Sequence, residues 1–339
     1  MFSTNYKSCN ESVWQGRVDS EENYDAFRWH QWVKPIDLRD ETLIPFHGEL
    51  GFAFIGFCCD EGVRRNKGRT GAAKGPESIR KELTNLPVSF KKDVKLFDAG
   101  DINCENISLA ECQGILSKAV DKILSLNLFP IVLGGGHEVA FGHYNGILDY
   151  LSKKEEKPNI GIINFDAHFD LRPYTNGGSS GTMFRQISDI CSQRDLSYSY
   201  FCLGVQIHSN TVDLFKTADR LGVKYVLAKD VVDCDLWTVF EKLDDFIKRQ
   251  DHIYLTICSD VFSSAFAPGV SASQSLGLEP EKILKFIKYI LNSNKVVSID
   301  IAEVSPRFDQ DNVTADLASV LIFTAITSLC KMRSLSLQS

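Results

Sequence analysis

The sequence predicts an α/β protein: one domain in which eight mostly parallel strands form a sheet covered by helices on both faces. Three observations lead there. Short apolar, β-branched runs alternate along the chain with segments of helical period, the pattern of βαβ units. The runs are almost continuously apolar (FIGF, IVLG, IGIINF, VVSIDI), as strands are when both faces of a sheet are buried. No Pro/Gly/Ser-rich linker, repeat or low-complexity tract divides the chain.

Taken in order, residues 1–50 are expected to form an N-terminal extension packed on the core, and residues 51–339 a single α/β domain. Strand candidates occupy residues 51–60, 93–102, 129–134, 160–166, 198–205, 223–228, 253–260 and 295–304. Amphipathic helices fall between most of them, for example over 108–126, 235–249 and 279–291. A mostly apolar helix over 314–332 closes the chain. Eight strands suit an open sheet and a closed barrel alike, and either way functional groups belong beyond the carboxyl ends of the strands.

At 339 residues, folding would bury roughly 75% of the unfolded surface, enough for a sizeable core. The composition, 44% hydrophobic and 24% charged, is globular and argues against long disorder. With 37 Lys+Arg against 44 Asp+Glu the net charge is −7, and no concentrated cationic face invites nucleic acid. An anionic ligand would therefore depend on local cations. The first twenty residues lack the apolar core of a signal peptide, and no uninterrupted apolar run approaches about 18 residues. The expectation is a cytoplasmic protein with no membrane partner. The ten cysteines (9, 58, 59, 104, 112, 191, 202, 234, 258 and 330) contain no C-x-x-C pair and read as reduced thiols, most of them small core residues.

The chemistry gathers at strand ends. Asn164-Phe165-Asp166-Ala167-His168-Phe169-Asp170 follows a buried run; in extended chain, residues two apart share a side, so Asp166, His168 and Asp170 converge. Taken alone, this pattern is matched evenly by a solvated turn. Gly134-Gly135-Gly136-His137 follows another buried run, and its glycines let His137 turn in over the sheet edge. Cys258 and Asp260 share a side at the end of a third run. Oxygen-rich ligation with imidazole suits Mn²⁺ or a similar divalent ion more than structural zinc. Six candidate ligands with shared carboxylates suit a two-metal site that activates a water.

In this combination the chain resembles the ureohydrolase superfamily, the arginase and agmatinase group. The resemblance rests on G-G-x-H ending at His137, D-A-H-x-D from Asp166 to Asp170, the third ligand segment through Ala267-Pro268-Gly269, and D-x-x-E-x-x-P from Asp300 to Pro306. It implies an open, three-layer sheet, a binuclear Mn²⁺ centre with two ions per subunit, and a homo-oligomer. It also implies that His137, Asp166, His168, Asp170, Cys258 and Asp260 are metal ligands, with Asp166 bridging. Glu303 would grip the amidinium-like group of the substrate, and Asp170 would transfer a proton, making these two the catalytic residues. Asp300 would support its strand end.

The flanks narrow the resemblance. Residues 14–19 (WQGRVD), 28–30 (RWH), 60–69 (DEGVRRNKGR), 71–76 (GAAKGP) and 179–182 (SSGT) resemble the branch that hydrolyses N-formimidoyl-L-glutamate to L-glutamate and formamide. A small-molecule dicarboxylate needs cationic partners, and Arg binds carboxylate bidentately. Arg172 and Arg69 are the expected substrate-binding residues, ahead of Arg64, Arg65, Lys67 and Arg185. His30, His47, His143, His208 and His252 are expected to be structural. Two departures matter. Arginases carry a proton-shuttling His after D-A-H-x-D, where this chain reads Ser180-Gly181-Thr182-Met183-Phe184. Cys258 stands where the family has a bridging Asp, which leaves open a bridging thiolate, a weakly held second ion or an impaired site. The alternatives to the preferred reading are another ureohydrolase (agmatinase or guanidino-acid hydrolase) and a catalytically weak metal- or metabolite-binding homologue.

Overall fold

The computed structural model describes residues 4–233 and 235–337. All eight expected strands are present: β3 (Leu50–Cys58), β4 (Val94–Asn103), β5 (Phe129–Leu133), β6 (Ile160–Phe165), β7 (Ser199–Val205), β8 (Lys224–Leu227), β9 (His252–Cys258) and β10 (Val296–Ala302). Two short strands precede them, β1 (Tyr6–Lys7) and β2 (Val33–Pro35). The sheet runs β1-β4-β3-β5-β10-β9-β6-β7-β8, with β2 also paired to β4. Every pairing is parallel except β1 with β4. The sheet is open, with β1 and β8 at opposite ends of that order.

Alternation explains the three layers. In β3, Phe52 and Phe54 point into one core, whereas Ala53, Ile55 and Phe57 point into the other. In β9, Ile253, Leu255 and Ile257 face the first core and Tyr254 the second. Helices Gly75–Leu83, Leu236–Ile247, Pro280–Leu291 and Val313–Met332 cover the first face. Helices Leu109–Ser125, Val139–Leu151, Met183–Gln193 and Val212–Arg220 cover the second. Each fully buried Ile, Leu, Val or Phe contributes about 1.5–3 kcal/mol of transfer free energy, so both faces must be covered. Local signals start the helices: Ser108 and Glu111 form a capping box, and Asp235 accepts from the Trp237 amide.

The N-terminal residues add to the core as well as to the sheet edge. Trp29 is fully buried, and the Trp14 indole donates to Asp98 at 2.7 Å. Asp98 also receives the buried Arg80 guanidinium at 2.8 Å, so each buried polar group there has a partner.

The closing helix bears on the membrane expectation, and the expectation for the cysteines needs correction. Val313–Met332 is long and apolar enough to cross a membrane by length and composition, despite its scattered polar residues; 61% of its apolar window is buried inside the protein, which makes it a core helix. Not all the cysteines are reduced thiols. Cys104 and Cys112, eight residues apart, are disulfide-bonded, because the capped turn at Ser108 folds the end of β4 back over the start of helix Leu109–Ser125. Cys9, Cys58, Cys59, Cys191, Cys202, Cys258 and Cys330 are free, and Cys234 lies outside the described residues.

Candidate metal centre

Four neighbouring strands, β5, β10, β9 and β6, end beneath one cavity, and each contributes the residues that follow its last pairing. The loop after β5 is held by backbone hydrogen bonds on both sides: Gly134 N–H donates to Ile301 O at 2.8 Å and Gly136 N–H to Cys59 O at 2.9 Å. A Cβ on Gly135 would press into the carbonyl of Cys59 and come within 2.7 Å of Phe57 O, so this position excludes a side chain. The loop delivers His137 into the interior, where it is 1% exposed.

The donors around His137 fix which nitrogen is free. Thr256 Oγ1 donates to Asp300 Oδ1 at 2.7 Å and lies 3.0 Å from His137 Nε2. With its only proton committed to Asp300, Thr256 accepts from Nε2–H, which leaves Nδ1 as the nitrogen open to a metal. Nδ1 sits 2.9 Å from Asp166 Oδ2 and 3.1 Å from Asp170 Oδ2, without hydrogen-bond geometry to either. His168 Nδ1 lies 3.2 Å from Asp260 Oδ2 and 3.4 Å from Asp166 Oδ1. Two sets of donor atoms result, His137–Asp166–Cys258 and Asp166–His168–Asp260, the atoms of each within 4.8 Å of one another. Asp166 belongs to both.

These residues fit a metal. His137 Nδ1, Asp260 Oδ1 and Glu303 Oε2 are buried with no hydrogen-bond partner, and buried polar atoms are rarely left so. A cation would satisfy all three types of acceptor. The electrostatics agree. Burial opposes protonation of His137, but the adjacent Asp166 and Asp170 carboxylates outweigh it and raise its pKa. His168 is raised likewise, burial being overcome first by the charge of Asp260. Burial and the Asp166 charge push Asp170 up to about 6. Burial, with the Asp166 and Asp260 charges, raises the Cys258 thiol. Protons are thus held where a dication would displace them. Asp170 and Glu303 have φ of 51° and 67°, left-handed values that cost non-glycine residues about 1–3 kcal/mol each and concentrate at functional sites.

The cavity above, about 280 Å³, is lined by His137, His168, Asp170, Cys258, Asp260 and Glu303, and at its mouth by Asn66, Lys67, Arg69 and Arg172. All the sequence-selected ligands therefore meet at one place. Arg172 lies in the wall without an ion-pair partner among the described residues, as does Lys67. Arg69 differs from expectation. Its guanidinium donates to Val270 O at 2.7 Å and Ser271 O at 3.1 Å and stacks 4.2 Å over Phe308, so it clamps a loop and leaves little to offer a carboxylate. Arg64 and Arg65 pair with Glu61, and Arg185 faces Asp189.

Other buried groups were not selected from the sequence. Glu138 is fully buried; its Oε1 accepts from Gly62 N–H at 2.7 Å, its Oε2 has no partner, and burial with the Glu303 charge raises it to about 8. Its place directly after His137 was the available signal. Asn210 braces the Asp166–Asp170 turn by accepting from Phe169 N–H and donating to Ala167 O. His143 binds Asp300 and Ser298 at 2.6 Å each, the outline of a Ser-His-Asp triad. All three residues are 0% exposed and none lines the cavity, so the trio supports Asp300 and does no nucleophilic chemistry. His30 and His252 bind Thr84 O and Glu155, and His47 and His208 are exposed on the surface.

The sequence model of the Arginase family matches residues 50–327. Formimidoylglutamase of Clostridium tetani (strain Massachusetts / E88) is 70% identical over 338 residues, covering 99% of this chain and 100% of the relative. Formimidoylglutamase of Geobacillus sp. (strain WCH70) is 42% identical over 321 residues, 95% of this chain and 96% of the relative. Among solved structures, formimidoylglutamase of Bacillus subtilis superposes with a TM-score of 0.78 at 22% identity, over 93% of this chain and 96% of that one. Trypanosoma cruzi formiminoglutamase, solved with Mn²⁺, gives 0.73 at 23% identity, over 85% of this chain and 97% of that one. With so much of its length matched by one family's sequence pattern, the chain belongs to the arginase family.

Proposed function

We propose that the chain is a metal-dependent amidine hydrolase that cleaves N-formimidoyl-L-glutamate to L-glutamate and formamide, a step of histidine degradation, using two Mn²⁺ per chain. The sharing of Asp166 between two three-donor sets carries the hydrolytic part of this reading. The substrate class rests on the full-length similarity to proteins of that activity and on the cations at the cavity mouth.

His137, Asp166 and Cys258 would hold one ion, and Asp166, His168 and Asp260 the other, with Asp170 beside His137. Divalent ions there would supply Lewis acidity, bringing the pKa of water towards neutrality. The remaining work falls to side chains. Glu303 is anchored through Oε1 by the His137 amide at 3.0 Å, leaving Oε2 to accept from the substrate's amidinium. Burial raises Glu303 to about 7, and a bound cation favours its ionised form. Asp170 takes a proton from the water as its oxygen bonds to the formimino carbon, and delivers that proton to the glutamate nitrogen as the bond from that carbon to the nitrogen breaks. Arg172 and Lys67 pair with the two substrate carboxylates.

The same cations disfavour agmatinase activity, because agmatine carries an ammonium where the proposed substrate carries carboxylates. Cys258 is the feature that favours a catalytically weak homologue. Release of formamide, urea and ammonia from formimidoylglutamate, arginine and agmatine, after chelation and re-addition of Mn²⁺, separates the readings. Faster urea release from arginine or agmatine than formamide release would refute the proposal. A homo-oligomer belongs to the same proposal and is read by light scattering.

A further inference from the structure

Behind the glycine loop lies a sulfur cluster that the proposed reaction does not use. The sulfurs of Cys59, Cys104 and Cys112 lie within 4.8 Å of one another, although they follow β3, follow β4 and sit in helix Leu109–Ser125 respectively. Cys104 and Cys112 form the disulfide, and Cys59 is a free thiol. Cys59 and Cys112 are buried, whereas Cys104 is half-buried and opens the cluster towards solvent. Burial, then the charges of Glu138, Asp60 and Glu61, raise the Cys59 thiol against an amide hydrogen bond from Glu61. A pocket of negative potential resists a bare thiolate but attracts a cation, and a bound dication removes the cost of the thiolate charge.

We propose that reduction of the Cys104–Cys112 bond turns Cys59, Cys104 and Cys112 into a three-thiolate site for a thiophilic divalent cation of the zinc and cadmium class. A dithiol reductant supplies two electrons and two protons, becomes a disulfide itself, and leaves two thiols beside Cys59. Binding one dication then releases three thiol protons. Metal–sulfur bonds of about 2.3 Å in a trigonal site place the sulfurs about 4 Å apart, within the spread of this cluster once the disulfide has opened. The site adjoins the candidate catalytic centre without sharing a ligand with it: the Cys59 carbonyl accepts the Gly136 amide at 2.9 Å.

The test uses Cd²⁺ on the full chain in a Cys258→Ser background, which removes the sulfur donor of the catalytic centre. After dithiol reduction and desalting, one additional Cd²⁺ per chain should bind with a thiolate-to-cadmium charge-transfer absorbance that is absent before reduction. Cys59→Ser and Cys112→Ala should each weaken this binding at least tenfold. In the reduced chain without the cysteine substitutions, Cd²⁺ should slow alkylation of Cys104 and Cys112 at least tenfold, read by peptide mass spectrometry; this needs no variant to fold. Equal absorbance before and after reduction, full binding by Cys59→Ser, or unprotected Cys104 and Cys112 would each overturn the proposal.

Discussion

Replacing Thr256 with valine tests how the candidate centre presents its first donor. The Thr256 hydroxyl joins His137 Nε2 at 3.0 Å to Asp300 Oδ1 at 2.7 Å, in an interior where all three residues are at most 1% exposed. Valine keeps the shape and deletes both bonds. A buried donor or acceptor without a partner costs about 1–3 kcal/mol, and His137 Nε2–H would become one. Asp300 loses less, because Tyr254 and His143 still donate to its other oxygen. The tautomer matters more. With no acceptor at Nε2, the neutral ring keeps its proton on Nδ1, facing Asp166 and Asp170, so the form that offers Nδ1 to a metal is disfavoured. Losing an orienting partner of a metal-bound histidine typically weakens metal affinity roughly 10–100-fold. Calorimetric Mn²⁺ titration of the wild type, Thr256→Val and Thr256→Ser reads the effect, with urea unfolding of the chelated proteins to separate stability from affinity. Serine should restore most of the affinity. Wild-type Mn²⁺ affinity in Thr256→Val would refute this account of His137.

Asp166→Ala should abolish metal-dependent turnover and reduce the Mn²⁺ stoichiometry measured by calorimetry, because both donor sets lose a member; near-normal turnover would exclude a shared carboxylate. Cys258→Asp should strengthen Mn²⁺ binding and lower the Mn²⁺ concentration giving half-maximal activity, since carboxylate is the harder donor and offers two oxygens; unchanged stoichiometry and affinity would make Cys258 a bystander. Gly135→Ala should displace the His137 loop and weaken metal binding at least tenfold, because its Cβ meets the backbone of Cys59 and Phe57, which cannot rotate away; the Mn²⁺ titration reads it. Adding Mn²⁺ to the chelated protein at a hundred times Kd should stabilise it by about 2.7 kcal/mol per site, read as a rise in melting temperature.

The strands and the ligand motifs were legible for the same reason: each is local. A buried parallel strand is a continuous apolar run, and each ligand lies within a few residues of the end of one, at 137, 166–170, 258–260 and 303. What was not legible depends on partners distant in sequence. β1 and β2 are only two and three residues long and exist through pairing with β4, so no periodicity announces them. Arg69 was expected to offer its charge to substrate; its carbonyl partners at 270 and 271 lie some two hundred residues away. The Cys104–Cys112 bond follows from a capped turn and not from any spacing motif. Thr256 looked like an ordinary strand residue until Asp300 and His137 were placed on either side of it.

The order of the strands explains why glycines stand in the loop before His137. In sequence β5 is followed by β6, but in the sheet β10 and β9 lie between them. Neighbouring strands are about 4.8 Å apart, so backbones three strands apart are separated by about 14 Å, more than a His and an Asp side chain can span while sharing an ion. The loop after β5 closes the gap by running across the end of β10. Gly134 donates to Ile301 O, and Glu303 N–H donates to Gly135 O at 2.8 Å, both partners lying at or just beyond the end of β10. His137 then arrives over β9, where Thr256 meets its Nε2. A Cβ at Gly134 would meet the backbone of Ile301 and one at Gly135 the backbone of Cys59 and Phe57, so these two glycines are required by close backbone approach, whereas at Gly136 it would meet the Glu138 and Val63 side chains. The same crossing orders Glu303: with φ at 67° it turns back beneath the loop, and its Oε1 accepts the His137 amide. The residue expected to orient substrate and the residue expected to bind metal are therefore held by one another. A substitution that moves the loop should disturb metal affinity and substrate KM together, whereas loss of Arg172 should raise KM and leave metal binding unchanged.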